Sequence, residues 1–331
     1  MERDKISSMK PILCNYYITY RCNAQCSFCD IWKKYRNMEK VDCSLEDVLN
    51  NLHQLKSLGV KFIDFTGGEP LLHHHLPGML RAAKKIGFHT SVTTNCLAYP
   101  NRAEELKGLI DLLHFSLDSL DEKENDSLRG KNSFSSVMES IQIAKKLNER
   151  PDLLFTVTQS NYRAIEKLAN FAHEQKLILI VNPVFKYSSQ KPINIEALNY
   201  IEQFKEAPYV YINRALHRLI RSGGNKRADP RCRAVTSTIV ISPNNEILFP
   251  CYHFQQLAVP IKNNLKQIGK SQMLKLFKKQ QGTFPFCEEC TINCYFDPSF
   301  LYKIDSFFWL SLISKMKYGF DKYIRFNLNY S

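Results

Sequence analysis

The sequence predicts an α/β fold in which a parallel sheet of six β/α units is followed by a small cysteine-rich extension. Three observations carry this. Short β-prone apolar runs alternate with amphipathic helical stretches from residue 12 to residue 181. The rhythm stops after Val184. Five of the eleven cysteines then fall between Cys232 and Cys294.

The first strand spans 12–20 and runs into Arg21-Cys22-Asn-Ala-Gln-Cys26-Ser-Phe28-Cys29-Asp30. A helix follows, with Ser44 as N-cap, Asp47 as the capping-box acid, and Leu45, Val48, Leu49, Leu52, Leu55 and Leu58 at helical spacing up to Gly59. A strand over 60–65 enters the turn Thr66-Gly67-Gly68-Glu69-Pro70. A helix over 76–86 precedes a strand over 88–94 that ends in Thr93-Thr94-Asn95. A short helix over 103–108 and a strand over 112–117 lead to Ser116 and Asp118. Helix 133–148, strand 153–158, helix 162–175 and strand 177–181 complete the repeat. Beyond it the sequence predicts a helix over 204–220, a break at Arg221–Asn225, and a hairpin of 238–242 and 246–250 across Pro243-Asn244-Asn245. The hairpin delivers Cys251, and a lysine-rich helix over 265–280 separates it from Cys287, Cys290 and Cys294.

With 331 residues the chain accommodates one large domain and a smaller one, and a 44% hydrophobic content is ordinary for a globular protein. Met1–Lys10 is polar and lacks the apolar run of a secretion signal. With an odd number of cysteines, this points to metal ligands in a reducing cytoplasm rather than a disulfide framework. The net charge of +13 is uneven: seven Lys/Arg face one acid between Arg214 and Arg233, and six lysines face none between Lys262 and Lys279. Such a surface suits nucleic acid, an anionic membrane or an acidic partner, or is simply a solvated lysine-rich face.

Parallel β/α sheets bind ligands at the C-terminal ends of their strands. Four polar clusters fall there: the cysteine loop, the Gly-Gly-Glu turn, the Thr-Thr-Asn turn, and Ser116 with Asp118. Cys22, Cys26 and Cys29 can hold three irons of a cubane and leave the fourth iron open, whereas structural zinc would want a closed fourth ligand. Gly67 and Gly68 permit close backbone approach, and Glu69 favours an ammonium over a phosphate. Cys14, Cys43 and Cys96 lack partners at ligand spacing. Three consecutive histidines, His73–His75, cannot all face one ion and read as the lead-in to a helix.

The paired C-x3-C-x-aromatic-C and GGEP motifs over residues 12–185 resemble the radical S-adenosylmethionine (SAM) superfamily. The resemblance implies a partial (β/α)6 barrel of the TIM type. It also implies a [4Fe–4S] cluster on Cys22, Cys26 and Cys29 whose open iron chelates SAM, and an electron donor such as flavodoxin or ferredoxin. Phe28 would lie near the adenine, and Gly67, Gly68 and Glu69 would meet the methionine amino group. Asn95, Ser116 and Asp118 would stand near the ribose or methionine part, and Arg129 in Leu-Arg-Gly would pair with the methionine carboxylate. The hairpin ending in Pro-Cys, followed by C-x2-C, resembles the auxiliary-cluster extension called SPASM or its shorter twitch form. Four of Cys232, Cys251, Cys287, Cys290 and Cys294 would hold a second [4Fe–4S] cluster, although Asn244-Asn245 replaces the usual turn glycine; zinc is the alternative metal there.

The expected organisation is therefore 1–210 for the core, 211–300 for the auxiliary domain, and 301–331 for a basic aromatic tail. The tail combines Phe307, Phe308, Trp309, Leu310, Leu312, Ile313, Tyr318, Phe320, Tyr323, Ile324 and Phe326 with Lys315, Lys317, Lys322 and Arg325. Its apolar run is too short to span a bilayer and offers two readings: peripheral contact with a membrane, or packing back onto the barrel opening. Functionally the expectation is a radical enzyme acting on an unidentified substrate (a peptide, a cofactor or nucleoside precursor, a carbohydrate or a lipid). The competing class is a non-catalytic zinc- or iron–sulfur-containing nucleic-acid-binding protein.

Overall fold

A computed structural model of the chain describes residues 10–35, 42–185 and 192–325. The polar leader before Lys10 and the tail residues Phe326 and Tyr330 lie outside them.

Seven parallel strands form the main sheet: β1 (Leu13–Thr19), β2 (Phe62–Gly67), β3 (His89–Thr94), β4 (Leu112–Ser116), β5 (Asp152–Val157), β6 (Leu179–Pro183) and β7 (Val210–Ile212). The connecting helices are α1 (Leu45–Leu58), α2 (Leu76–Ile86), α3 (Tyr99–Leu106), α4 (Glu122–Arg129), α5 (Phe134–Lys146), α6 (Ile165–Gln175) and α7 (Ile195–Glu202). The helix α8 (Arg214–Arg221) follows β7. Side chains alternate between two faces along the strands. Cys14, Tyr16, Ile63, Phe65, Val92, Phe115 and Phe155 pack into one apolar core with Leu52, Leu55, Met79, Val137, Ile141 and Leu168 of the helices. The intervening residues keep partial solvent access on the other, concave face. α1 starts as expected, with the Ser44 Oγ accepting from Asp47 N at 3.1 Å. Leu49, however, is solvent-facing, and Asn51 takes a buried place instead.

Three local differences from the expectation have clear causes. The stretch predicted as one helix over 204–220 contains β7, because the Asn213 side chain caps α8 by accepting from Leu216 N and the residues before it pair with β6. The lysine-rich helix over 265–280 is interrupted: a short turn, Leu265–Ile268, precedes α9 (Gln272–Gln280), which Ser271 caps by accepting from Leu274 N. α4 has no apolar stripe to announce it; Asp121 caps it by accepting from Glu124 N.

The extension joins the same sheet. β8 (Thr238–Ile241) pairs in parallel with β1, and β9 (Glu246–Phe249) and β10 (Leu257–Pro260) add antiparallel. The order is β10-β9-β8-β1-β2-β3-β4-β5-β6-β7, an open sheet whose edges are β10 and β7. Asn245 adopts φ 58° in the hairpin turn, where asparagine is tolerated in place of glycine. Its side chain also donates to Asp47 Oδ1 at 2.7 Å and accepts from Asn51 Nδ2 at 2.8 Å, tying the turn to α1. That explains why glycine is absent there.

The helices α10 (Asn293–Ser299) and α11 (Ser306–Gly319) close the chain, with one π-helical turn over Phe320–Arg325. The tail packs on α8 through Phe296, Phe300 and Phe307. It then crosses the N-terminal ends of the strands rather than the barrel opening. Lys322 Nζ and Tyr318 Oη each lie 2.7 Å from the carboxylate of Asp152, the first residue of β5, and Asp321 accepts from Tyr209 N just before β7. Among the described residues no helix is long and apolar enough to cross a membrane.

Candidate active site at the C-terminal ends of the strands

The cysteine loop leaves β1 and is held by α4: Gln25 N donates to Arg129 O at 3.0 Å and Ser27 N to Leu128 O at 2.9 Å. Gly130 ends α4 at φ 65°, and a Cβ there would lie 2.5 Å from the Gln25 carbonyl, so only glycine lets helix and loop meet. Cys26 is buried and Cys22 and Cys29 half-buried, all three with free thiols. Burial pushes Cys22 up to about 12 and Cys29 up to about 11, and also raises Cys26, against the pull of the Arg129 charge. Cys22 lies within electrostatic reach of both Cys26 and Cys29.

Arg129 reaches from α4 beneath this loop. Its Nε sits 2.7 Å from Asp118 Oδ2 as a buried ion pair, its guanidinium lies 5.2 Å from the Phe28 ring centre, and Nη1 is 4.0 Å from Cys26 Sγ. Nη2 is buried with no hydrogen-bond partner. Asp118 Oδ1 accepts from Thr156 N at 2.8 Å, yet burial still raises its pKa beyond what Arg129 offsets. Asp118 thus anchors Arg129 and joins β4 to β5, while Ser116 is buried at the end of β4.

The glycine turn is pressed against the start of the cysteine loop. A Cβ on Gly67 would lie 1.9 Å from Thr19 O, and one on Gly68 would lie 2.2 Å from Arg21 O. Gly68 N donates to Thr19 O at 3.0 Å and Glu69 N to Arg21 O at 2.8 Å. Glu69 is fully buried; its Oε1 accepts from Leu71 N at 3.0 Å and its Oε2 from Asn95 N at 2.8 Å. Both oxygens are therefore engaged with amides of the fold itself. The Asn95 side chain continues the chain of contacts by donating to Asn23 Oδ1 at 2.8 Å in the cysteine loop. The sequence places these turns at one edge without revealing that Glu69 and Asn95 clamp them together; an acid directly after two glycines was the available signal.

Cys14 and Cys96 are buried in the core, and Cys43 Sγ lies 3.8 Å from His73 Nε2. His73 Nε2 is also 3.0 Å from Cys43 O, and His75 stands at the N-terminus of α2.

The five later cysteines gather on the concave side of β1, β8 and β9, where Cys232, Cys251, Cys290 and Cys294 share an apolar cluster with Tyr17, Tyr252 and Tyr295. Cys290 lies within electrostatic reach of Cys232, Cys251, Cys287 and Cys294. Among the described residues no three His, Cys, Asp or Glu side chains converge as on a single metal ion. A cubane, which bonds each thiolate to a different iron, asks for a wider arrangement.

Residues 16–172 match the family model described as the radical SAM superfamily. Over 164 residues the chain is 30% identical to a protein of Sulfolobus acidocaldarius named probable GTP 3′,8-cyclase, covering 48% of this chain and 51% of that relative. It is 27% identical to an S-adenosylmethionine-dependent nucleotide dehydratase of Lacinutrix mariniflava, covering 51% and 33%. The chain thus spans about half the length, or less, of these curated relatives. Among solved structures, Streptococcus suis SuiB bound to its precursor peptide SuiA superposes with a TM-score of 0.68 at 19% identity, covering 87% of this chain and 72% of that one. Native anSMEcpe with bound AdoMet gives 0.64 at 16%, covering 97% and 100%. At such identities the likeness is one of fold: an α/β architecture with an open, partial-barrel sheet. The matching segment, somewhat under half of the chain, contains the cysteine triad, the Gly-Gly-Glu turn, Asp118 and Arg129, and there the chain carries a radical SAM domain.

Proposed function

We propose that this chain is a radical SAM enzyme in which Cys22, Cys26 and Cys29 hold a [4Fe–4S] cluster that binds S-adenosylmethionine and a substrate is modified against the concave face of the sheet. When bound, the cluster supplies one electron that splits the sulfonium into methionine and a 5′-deoxyadenosyl radical. The observation that carries this reading is the buried, unpartnered Nη2 of Arg129 beneath the cysteine loop. A buried guanidinium donor without an acceptor is costly unless an anionic group completes it. Thiolates on iron or a ligand carboxylate supply that group. The residues divide the work accordingly: Asp118 and Phe28 orient Arg129, Glu69 and Asn95 fix the glycine turn, and Gly67 and Gly68 let the turn lie against the loop. The buried thiols must lose their protons to the solvent as iron is taken up.

The five clustered cysteines support a second [4Fe–4S] cluster beside the substrate space. Relatives named for nucleotide chemistry and a fold neighbour bound to a precursor peptide frame the substrate classes. A flavodoxin or ferredoxin fits as electron donor. The exposed apolar row of α11 supports peripheral contact with a membrane surface.

Anaerobic reconstitution followed by metal analysis and incubation with dithionite and S-adenosylmethionine tests the proposal. About eight irons per chain and 5′-deoxyadenosine are expected. Cys26→Ala should abolish 5′-deoxyadenosine, and Cys290→Ala should spare it while lowering iron by about half. Zinc in place of iron, salt-sensitive nucleic-acid binding and no 5′-deoxyadenosine would replace this reading with a non-catalytic one.

A further inference from the structure

The chain is strongly basic, yet the concave face of its sheet carries an uncompensated acid. The side chains that alternate with the helix-packed core are Asn15 and Tyr17 on β1, Asp64 and Thr66 on β2, and Ser91 and Thr93 on β3. His114 on β4, Thr156 on β5 and Asn182 on β6 continue the row. From Asp64 to Asn182 these positions keep partial solvent access while their core-facing neighbours have none. The concave face is therefore the wall of a polar chamber. α10 forms its lid, with Asn293 Nδ2 donating to Asn182 Oδ1 at 3.1 Å and Cys294 within electrostatic reach of Asp64.

Several charges around this chamber are paired. Arg129 is paired with Asp118, Arg21 with Asp42 and Lys322 with Asp152. His114 is held neutral by burial, with Thr93 Oγ1 at 3.2 Å from its Nδ1. Asp64 has only the Ser91 hydroxyl beside it, and no cation of the described residues lowers its pKa, which burial pushes up to about 6. On α10, next to Cys294 in the chain, Asn293 Oδ1 is a buried acceptor with no donor. An acid without a cation and an amide oxygen without a donor are the complement of an N–H-rich cation. They also repel phosphate.

Resting on the proposed radical reading, we propose that Asp64 is a specificity-determining residue. With Asn293 Oδ1 it receives a cationic nitrogen group of the substrate, an ammonium of the kind a lysine side chain presents, and it excludes nucleoside triphosphates. Asp64 stands three residues before Gly67 of the Gly-Gly-Glu turn on the same strand and faces the later cysteines, so a group docked there lies between the two cysteine sites.

Calorimetric titration of the reconstituted, S-adenosylmethionine-loaded protein tests this with three probes: N-acetyl-lysine methylamide, its neutral norleucine analogue, and GTP. The lysine probe should bind, the norleucine analogue and GTP should not, and Asp64→Asn should weaken the lysine probe by about tenfold or more. Asp64→Ser serves as a second variant should the amide disturb Ser91. Failure of the lysine probe to bind, tighter binding of GTP, or an unchanged lysine affinity in both variants overturns the proposal. 5′-Deoxyadenosine formation without substrate, measured on the same samples, reports separately on the radical reading.

Discussion

Glu69 illustrates what a single side chain does at this site. Its carboxyl is buried, and two backbone amides only partly counter the burial, so its pKa is pushed up to about 7. A group whose folded pKa lies above its unfolded value contributes its stability at low pH and loses it as pH rises through the folded pKa. Between pH 4.5 and about 7 the protein should therefore lose roughly 3 kcal/mol of stability that a Glu69→Gln variant does not lose. Denaturant titrations at pH 5 and pH 7.5 measure the difference, and parallel pH profiles for the two proteins would contradict it. The variant should start lower, because an amide can accept from only one of Leu71 N and Asn95 N. The motif residues were legible because rare residue types stand at fixed spacing. Their partners were not. Glu69 meets Asn95 across 26 positions, and Arg129 meets Cys26 across 103, and neither sequence window contains the other.

At the scale of elements, α11 carries two faces. Phe307 and Ser311 are buried toward α8, while Trp309, Ile313 and Met316, continued by Phe320 and Ile324 in the π-helical turn, form an exposed row, with Trp309 54% and Met316 65% exposed. The basic residues predicted to flank that row are already engaged: Lys315 with Asp297, Lys317 and Arg325 with Asp321, and Lys322 with Asp152. Vesicle binding through this row should accordingly be apolar in character. In liposome sedimentation, Trp309→Glu combined with Ile313→Glu should abolish binding to neutral and anionic vesicles alike. Retention of binding by the double variant would remove the membrane contact. Point variants serve better than deletion, since removing the helix would also strip Asp152 of its partners. The β/α units of the core were legible because they obey helix and strand periods over long windows. β7 was not, since a three-residue strand carries no period, and β10 was hidden among polar residues.

For the whole molecule, the tail matters as a closure. Asp152 is buried at the foot of the sheet, with Lys322 as its cation and Tyr318 as its donor, and His114 Nε2 stands 3.6 Å away. Lys322→Met should leave this acid without its cation and destabilise the protein by about 3 kcal/mol. Urea unfolding measures it, and a loss under about 0.5 kcal/mol would mean that water already neutralises the site. Neither this closure nor the pairing of β8 with β1 could be read in advance, because both join segments more than a hundred residues apart through contacts that no local pattern announces. The sheet order has a further consequence in time. β1 is made before the other described strands of the sheet, yet it lies inside that sheet, between β8 and β2. Until Thr238–Ile241 has been synthesised, one side of β1 remains an unpaired edge, the kind of surface on which nascent chains associate wrongly. The first cysteine loop likewise precedes, by more than two hundred residues, both the strand that completes its supporting sheet and the cysteines of the second group.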